Sequence, residues 1–166
     1  MDIANIYLES VKKQFQQGKS LAERSMSQLE PDQLFFTANE DSNSIALIVK
    51  HMHGNMLSRW TDFLTTDGEK PWRKRDEEFE QEGNNDKEEV MRQWEEGWNC
   101  LFSAINSLGP DQLTATVFIR GEAHTVVDAI NRQLTHYSYH VGQIVFAAKQ
   151  LKQTSWNSLT IPRRKI

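Results

Sequence analysis

A chain of 166 residues with 38% apolar side chains can bury one continuous core, and a single cysteine means that no disulfide framework supports it. Nineteen basic against 23 acidic residues leave a net charge of -4, which removes any global electrostatic case for nucleic acid or an anionic membrane as partner. Cys100 alone excludes a CxxC metal clip, no apolar run approaches a membrane span, and the start lacks the basic region of a secretory signal, so one domain over residues 1–166 is expected in the cytoplasm.

From about Asp2 to Leu29, the apolar residues Ile3, Ile6, Tyr7, Val11, Phe15, Ala22 and Met26 recur mostly at three-, four- and seven-residue spacings, which predicts an amphipathic helix stopped by Glu30 and Pro31. A second helix is expected from Asn43 or Ser44 to Leu64, with Ile45, Val49, Met52, Met56, Trp60 and Phe63 on its buried face. Residues 65–85 are the least regular stretch and read as a long crossover. Within it, the run from Arg73 to Phe79 reads as a solvated segment with internal ion pairs, with a substrate rim as the alternative. Trp60 and Trp72 bracket the crossover, either in the core or walling a pocket.

Asn85, with Glu88 three residues on, suits the start of a third helix carrying Val90, Met91, Trp94, Trp98, Leu101, Phe102, Ile105 and Leu108. Gly109 and Pro110 end it. The β-branched and aromatic residues around Arg120 and Gly121 predict a short hairpin or extended excursion over residues 114–126. Thr125 and Asp128 then match a capping pattern for a fourth helix to about Leu151, followed by a loop-like tail ending in the basic triplet Arg163, Arg164 and Lys165. Four helices with one apolar stripe each predict an all-α four-helix bundle, and the long connections predict at least one crossover and a non-sequential arrangement.

The fourth helix carries the chemistry. His136 and His140 are four residues apart, about 6 Å along a helix axis and on one face, so both imidazoles can reach one metal ion. They fall on the shoulder of the apolar stripe, beside Ala129 and Ala147, where another helix could approach. Chance produces such pairs often enough that a third ligand is needed. The second helix offers His51 and His53 on different faces, and helical geometry alone does not choose between them. His124 reads as solvated or a local cap, and Cys100 as a small core residue. Asn55, one turn beyond His51, could orient a bound water or substrate. No Ser-His-Asp order, phosphate loop or paired-carboxylate motif stands out.

The segment Ser44–Gly54 (SIALIVKHMHG) followed by Trp60, together with His136–Ile144 (HYSYHVGQI), resembles the two histidine motifs of the DinB/YfiT-like superfamily. The stretch TDFLTTDGEKPW, ending at Trp72, is similar to one bacterial subgroup typical of Firmicutes. The resemblance covers most of the chain and implies a bundle of that superfamily's type. Its second-helix ligand maps to His51, and its other two map to His136 and His140. Other members often carry a bulky aromatic before the second-helix histidine and an arginine after the last one; here those positions are Lys50 and Val141.

Three neutral imidazoles suit Zn²⁺ or Ni²⁺ and leave coordination positions open. Relatives in the superfamily include thiol S-transferases that use bacillithiol or mycothiol. The resemblance therefore implies a divalent-metal enzyme joining a small-molecule thiol to an electrophile, a related metal-assisted hydrolase, and a homodimer. Because the superfamily's founding member is a DNA-damage-inducible protein, the alternative is a non-catalytic stress- or damage-associated metal-binding or interaction module.

Overall fold

The computed structural model describes residues 2–80 and 86–161. Each long helix begins where a short polar side chain accepts from an otherwise orphaned first-turn amide. Asp2 accepts from the Asn5 amide at 2.9 Å to open α1 (Ile3–Met26), and Ser44 from that of Leu47 at 3.2 Å to open α2 (Ile45–Trp60). Asp86 accepts from the Glu88 amide to open α3 (Lys87–Ser107), and Thr125 from the Asp128 amide to open α4 (Val126–Lys152). The expected cap for α3, Asn85, lies outside the described residues, and Asp86 takes the role. The basic triplet of the tail lies outside them as well.

α2 packs along α3 and α1 along α4, and the pairs meet through α2 on α4 and, less extensively, α1 on α3. Consecutive helices α1 and α2 therefore lie diagonally, as do α3 and α4, which is the non-sequential bundle the long connections predict. One large aromatic from each helix meets at the centre. Phe15 of α1 lies 6.2 Å from Trp60 of α2, 6.4 Å from Trp98 of α3 and 6.1 Å from Tyr137 of α4, ring centre to ring centre. Edge and tilted contacts of this kind add to the stabilisation from burial alone.

A polar link runs through this aromatic centre. The Trp60 indole N–H donates to the Tyr137 hydroxyl at 3.1 Å, and that hydroxyl donates to Asn55 Oδ1 at 2.9 Å. Burial raises the Tyr137 phenol well above its ordinary value and keeps it a donor. Tyr137→Phe is expected to leave the indole N–H and the Asn55 carbonyl without their shared partner, at a cost of about 1–3 kcal/mol. A thermal melt checks this: the melting temperature should fall by several degrees, and an unchanged one would show that the link carries little.

The apolar stripe of α1 differs from the sequence reading at its start. Ile3 and Ile6 are exposed and Leu8 takes the buried position, because the face that meets the neighbours runs through Ala4, Leu8, Val11, Phe15 and Ala22, with Tyr7 beside it bonding α4 through its hydroxyl, and Ile3 and Ile6 lie off it. α2 stops at Trp60, four residues early, where the chain turns through Asp62 at φ 49°. Trp60 is buried in the core, whereas Trp72 is largely exposed.

The hairpin is present as β1 (Thr116–Ile119) and β2 (Glu122–Thr125), antiparallel with Ile119 opposite Glu122. Its two turn residues, Arg120 and Gly121, both have positive φ, the conformation that closes a two-residue hairpin without splaying the strands. Asp67 of the crossover holds that turn, accepting from the amides of Arg120 at 2.9 Å and Gly121 at 2.7 Å. The Gly68 amide donates to the Phe118 carbonyl at 2.7 Å, so crossover and hairpin form one cap over an end of the bundle. No helix among the described residues is long and apolar enough to cross a membrane.

Candidate metal centre

α2 lies between α3 and α4, so most of its circumference is buried, including the polar residues His51, Asn55 and Arg59. His51 faces α4. Its Nε2 lies 3.4 Å from that of His136, which in turn lies 3.1 Å from that of His140, and all three ligand atoms fall within 4.8 Å of one another. Three nitrogens held at Zn–N bond lengths in a tetrahedral arrangement would be separated by about 3.3 Å, which the two separations from His136 match. Among the described residues, no fourth histidine, cysteine or carboxylate joins the group.

The opposite ring nitrogens show which atoms carry protons. His51 Nδ1 lies 2.9 Å from Glu78 Oε2, and because a carboxylate only accepts, the imidazole donates there. His140 Nδ1 similarly donates to Gln143 Oε1 at 2.8 Å. In the neutral rings, the metal-binding form, both Nε2 atoms are then lone pairs aimed at the centre. A single proton on His136 Nε2 can satisfy one of them and leaves the other facing a nitrogen, whereas one cation satisfies all three. The residues present fit a divalent metal ion.

Glu78 is buried and gripped from both sides. Arg73 donates to its two oxygens, from Nε at 2.7 Å and a terminal nitrogen at 2.9 Å. Burial alone would raise the Glu78 carboxyl, but the hydrogen bonds from His51 and Arg73 and the Arg73 charge outweigh it and hold the group below its usual range. Gly54 admits this carboxylate: a Cβ there would collide with Glu78 Oε1. Phe79 stacks on the His51 ring at 4.9 Å. The run from Arg73 to Phe79 is therefore only partly a solvated segment. Lys74, Asp76 and Glu77 are exposed, while the Arg73 side chain, Glu78 and part of Phe79 pack against α2.

The remaining candidates lie elsewhere. His53 turns to Glu96 of α3 at 3.1 Å, and His124 pairs with Asp128 in the first turn of α4. Cys100 is half-buried, with its sulfur 3.6 Å from the Thr61 hydroxyl, and burial pushes its thiol up. Asn55 lines the cavity at the centre. The sequence reading missed Glu78, Arg73 and Gln143. Gln143 sits three residues beyond His140 on the same helical face and could have been found from that spacing, whereas Glu78 is 27 residues from its histidine.

Burial, reinforced by the neighbouring imidazoles, pushes His136 down to about 3. Burial also pushes His140 down to about 4, against the hydrogen bond to Gln143. In the unfolded chain both would titrate near 6.5. The unfolded state therefore takes up protons below that pH while the folded state does not, and the metal-free protein should lose stability as pH falls from about 6.5 towards 4. Melting in the presence of a chelator at pH 7.5 and 5 checks this. A melting temperature that is equal or higher at pH 5 would contradict the neutral, buried imidazoles.

A cavity of about 440 Å³ opens beside the centre, with His51, His136, Asn55 and Tyr139 among its walls. The family model described as Protein of unknown function (DUF1572) matches residues 2–165. The chain belongs to that family. No curated protein and no solved structure matches it. The family's match spans all four helices, the hairpin and the three clustered histidines.

Proposed function

We propose that His51, His136 and His140 hold one divalent ion, zinc or nickel, and that the protein is a metal-dependent enzyme transferring a low-molecular-weight thiol to an electrophile. The observation that carries this reading is the convergence of three imidazole Nε2 atoms, two of them fixed as lone pairs by Glu78 and Gln143, at the wall of an open cavity. When bound, such a cation lowers the pKa of a coordinated thiol or water and supplies a nucleophile near neutral pH.

The chain's own residues prepare that chemistry. Glu78 and Gln143 fix the tautomers of His51 and His140, and Tyr137 orients Asn55 by occupying its carbonyl. The amide nitrogen of Asn55 is thereby left as a donor at the cavity wall. In the overall reaction the thiol proton passes to solvent, sulfur forms the new bond to the electrophilic carbon, and the leaving group departs with its bonding pair. Among the described residues no carboxylate or lysine lines the cavity to act as a general base, so the bound cation would have to ionise the nucleophile itself. The resemblance of the histidine motifs to the DinB/YfiT-like superfamily supports the same reading, and the homodimer it implies is part of the proposal.

The test is a rate measurement with monobromobimane and a panel of small thiols, bacillithiol among them, on zinc-loaded, nickel-loaded and metal-free protein. The reading requires a thiol-dependent rate in a loaded form that the metal-free form lacks. Equal rates with every thiol would leave a metal-binding module without this activity.

A further inference from the structure

Among the described residues, the walls of the cavity beside the histidines carry five arginines and no carboxylate: Arg59, Arg73, Arg75, Arg120 and Arg132. This stands against a chain whose net charge is -4. The arginines are brought together by four separate elements. On α2, His51, Asn55 and Arg59 follow one another at four-residue steps, and on α4, Arg132, His136 and His140 do the same. Each step advances about 6 Å along a helix axis, so guanidinium groups begin one and two turns from the histidines. Arg73 and Arg75 come from the crossover and Arg120 from the turn of the hairpin.

Their charges are only partly balanced. Glu69 alone serves three of them, at 3.1 Å from Arg59, 3.6 Å from Arg73 and 3.1 Å from Arg120. Glu78 takes Arg73 a second time, and Arg75, which lies over the Phe79 ring, has the exposed Asp76 at 3.6 Å as its carboxylate among the described residues. Among the described residues Arg132 has no ion pair or hydrogen bond, so five guanidinium groups face three carboxylates. Arg59 is deeply set: its side chain is only 5% exposed and its terminal nitrogens donate to the Gly68 carbonyl and to Glu69, so it adds charge to the cavity wall rather than a free donor.

We propose that this cavity takes a small anionic substrate, one bearing carboxylate or phosphate groups, with the anion held by Arg132 and Arg75 and the reactive group turned to the histidines one turn away. The proposal relies on the metal reading only for where the reactive end sits. Arginine suits this task because its planar fork matches both oxyanions and keeps its charge at any working pH.

The test is calorimetric titration of the full chain, zinc-loaded and metal-free, with succinate, inorganic phosphate and uncharged succinamide, which separates carboxylate from phosphate preference. At least one anion should bind both forms and succinamide neither. Arg132→Ala and the double variant Arg75→Ala with Arg132→Ala should weaken that binding by about ten- to a hundred-fold while zinc content and melting temperature stay at the wild-type level. The proposal is overturned if neither anion binds, if succinamide binds as well as succinate, or if Arg132→Ala retains wild-type affinity, which would place the anion on the metal or elsewhere. Anion binding by a protein that takes up no zinc would sink the metal reading and leave this one standing.

Discussion

Alanine at His136 is expected to abolish stoichiometric metal binding. His136 is the middle member of the cluster, 3.4 Å from His51 and 3.1 Å from His140, and its loss leaves two nitrogens on opposite helices with nothing between them. His51→Ala and His140→Ala should behave alike, since three ligands are the fewest that hold a zinc-type site with protein alone. In wild-type protein, metal at a hundred times its dissociation constant should add about 2.7 kcal/mol to stability. For a chain of this size that corresponds to a rise of about 5–10 °C in melting temperature. The variants should lose this rise. Full metal content and an undiminished thermal shift in all three would remove the site.

The second large effect is expected at Glu78, which contacts no metal. Its carboxylate fixes the His51 tautomer and neutralises the buried Arg73 side chain at once. Glu78→Ala leaves that guanidinium with only Glu69 at 3.6 Å, and breaking a buried pair from one side costs about 3–5 kcal/mol. A fall of about 10 °C in melting temperature follows. Glu78→Gln keeps an acceptor for His51 but lacks the charge, and partners of this kind change metal affinity by about ten- to a hundred-fold. Competition with a chelator of known affinity reads the second effect and denaturation reads the first. Wild-type behaviour in both variants would show that the carboxylate neither orients His51 nor supports the crossover.

How much of this was legible in the sequence depends on the range over which each signal acts. Helical periodicity and local caps are short-range, so α1 to α4 and the hairpin could be read, as could the shared face of His136 and His140. The choice between His51 and His53 came only with the family resemblance, because it depends on which face of α2 meets α4, a tertiary fact that spacing alone does not contain. His53 faces Glu96 of α3 instead.

The same limit hid Glu78. A run rich in charges reads as solvated unless its partners are known, and here His51 lies 27 residues away on a packed helix. The exposed Ile3 and Ile6 failed for a related reason: apolar spacing assigned them to the buried stripe, but the face that meets the neighbouring helices runs through Ala4 and Leu8, and which face is met is a tertiary fact. The arginine cavity lies between these cases. Its four-residue steps on α2 and α4 are visible in the sequence, but Arg120 reaches it through the docking of the hairpin on Asp67, and Arg73 and Arg75 through the packing of Glu78 and Phe79 against α2.

X-ray absorption of the zinc-loaded protein tests the central claim most directly, because it reads the atoms around the ion without regard to activity. Three histidine nitrogens at about 2.0–2.1 Å, with imidazole outer-shell scattering and one further light-atom ligand, are the expected result. A sulfur shell near 2.3 Å, or a shell of oxygens alone, would place the metal away from His51, His136 and His140 and contradict the account.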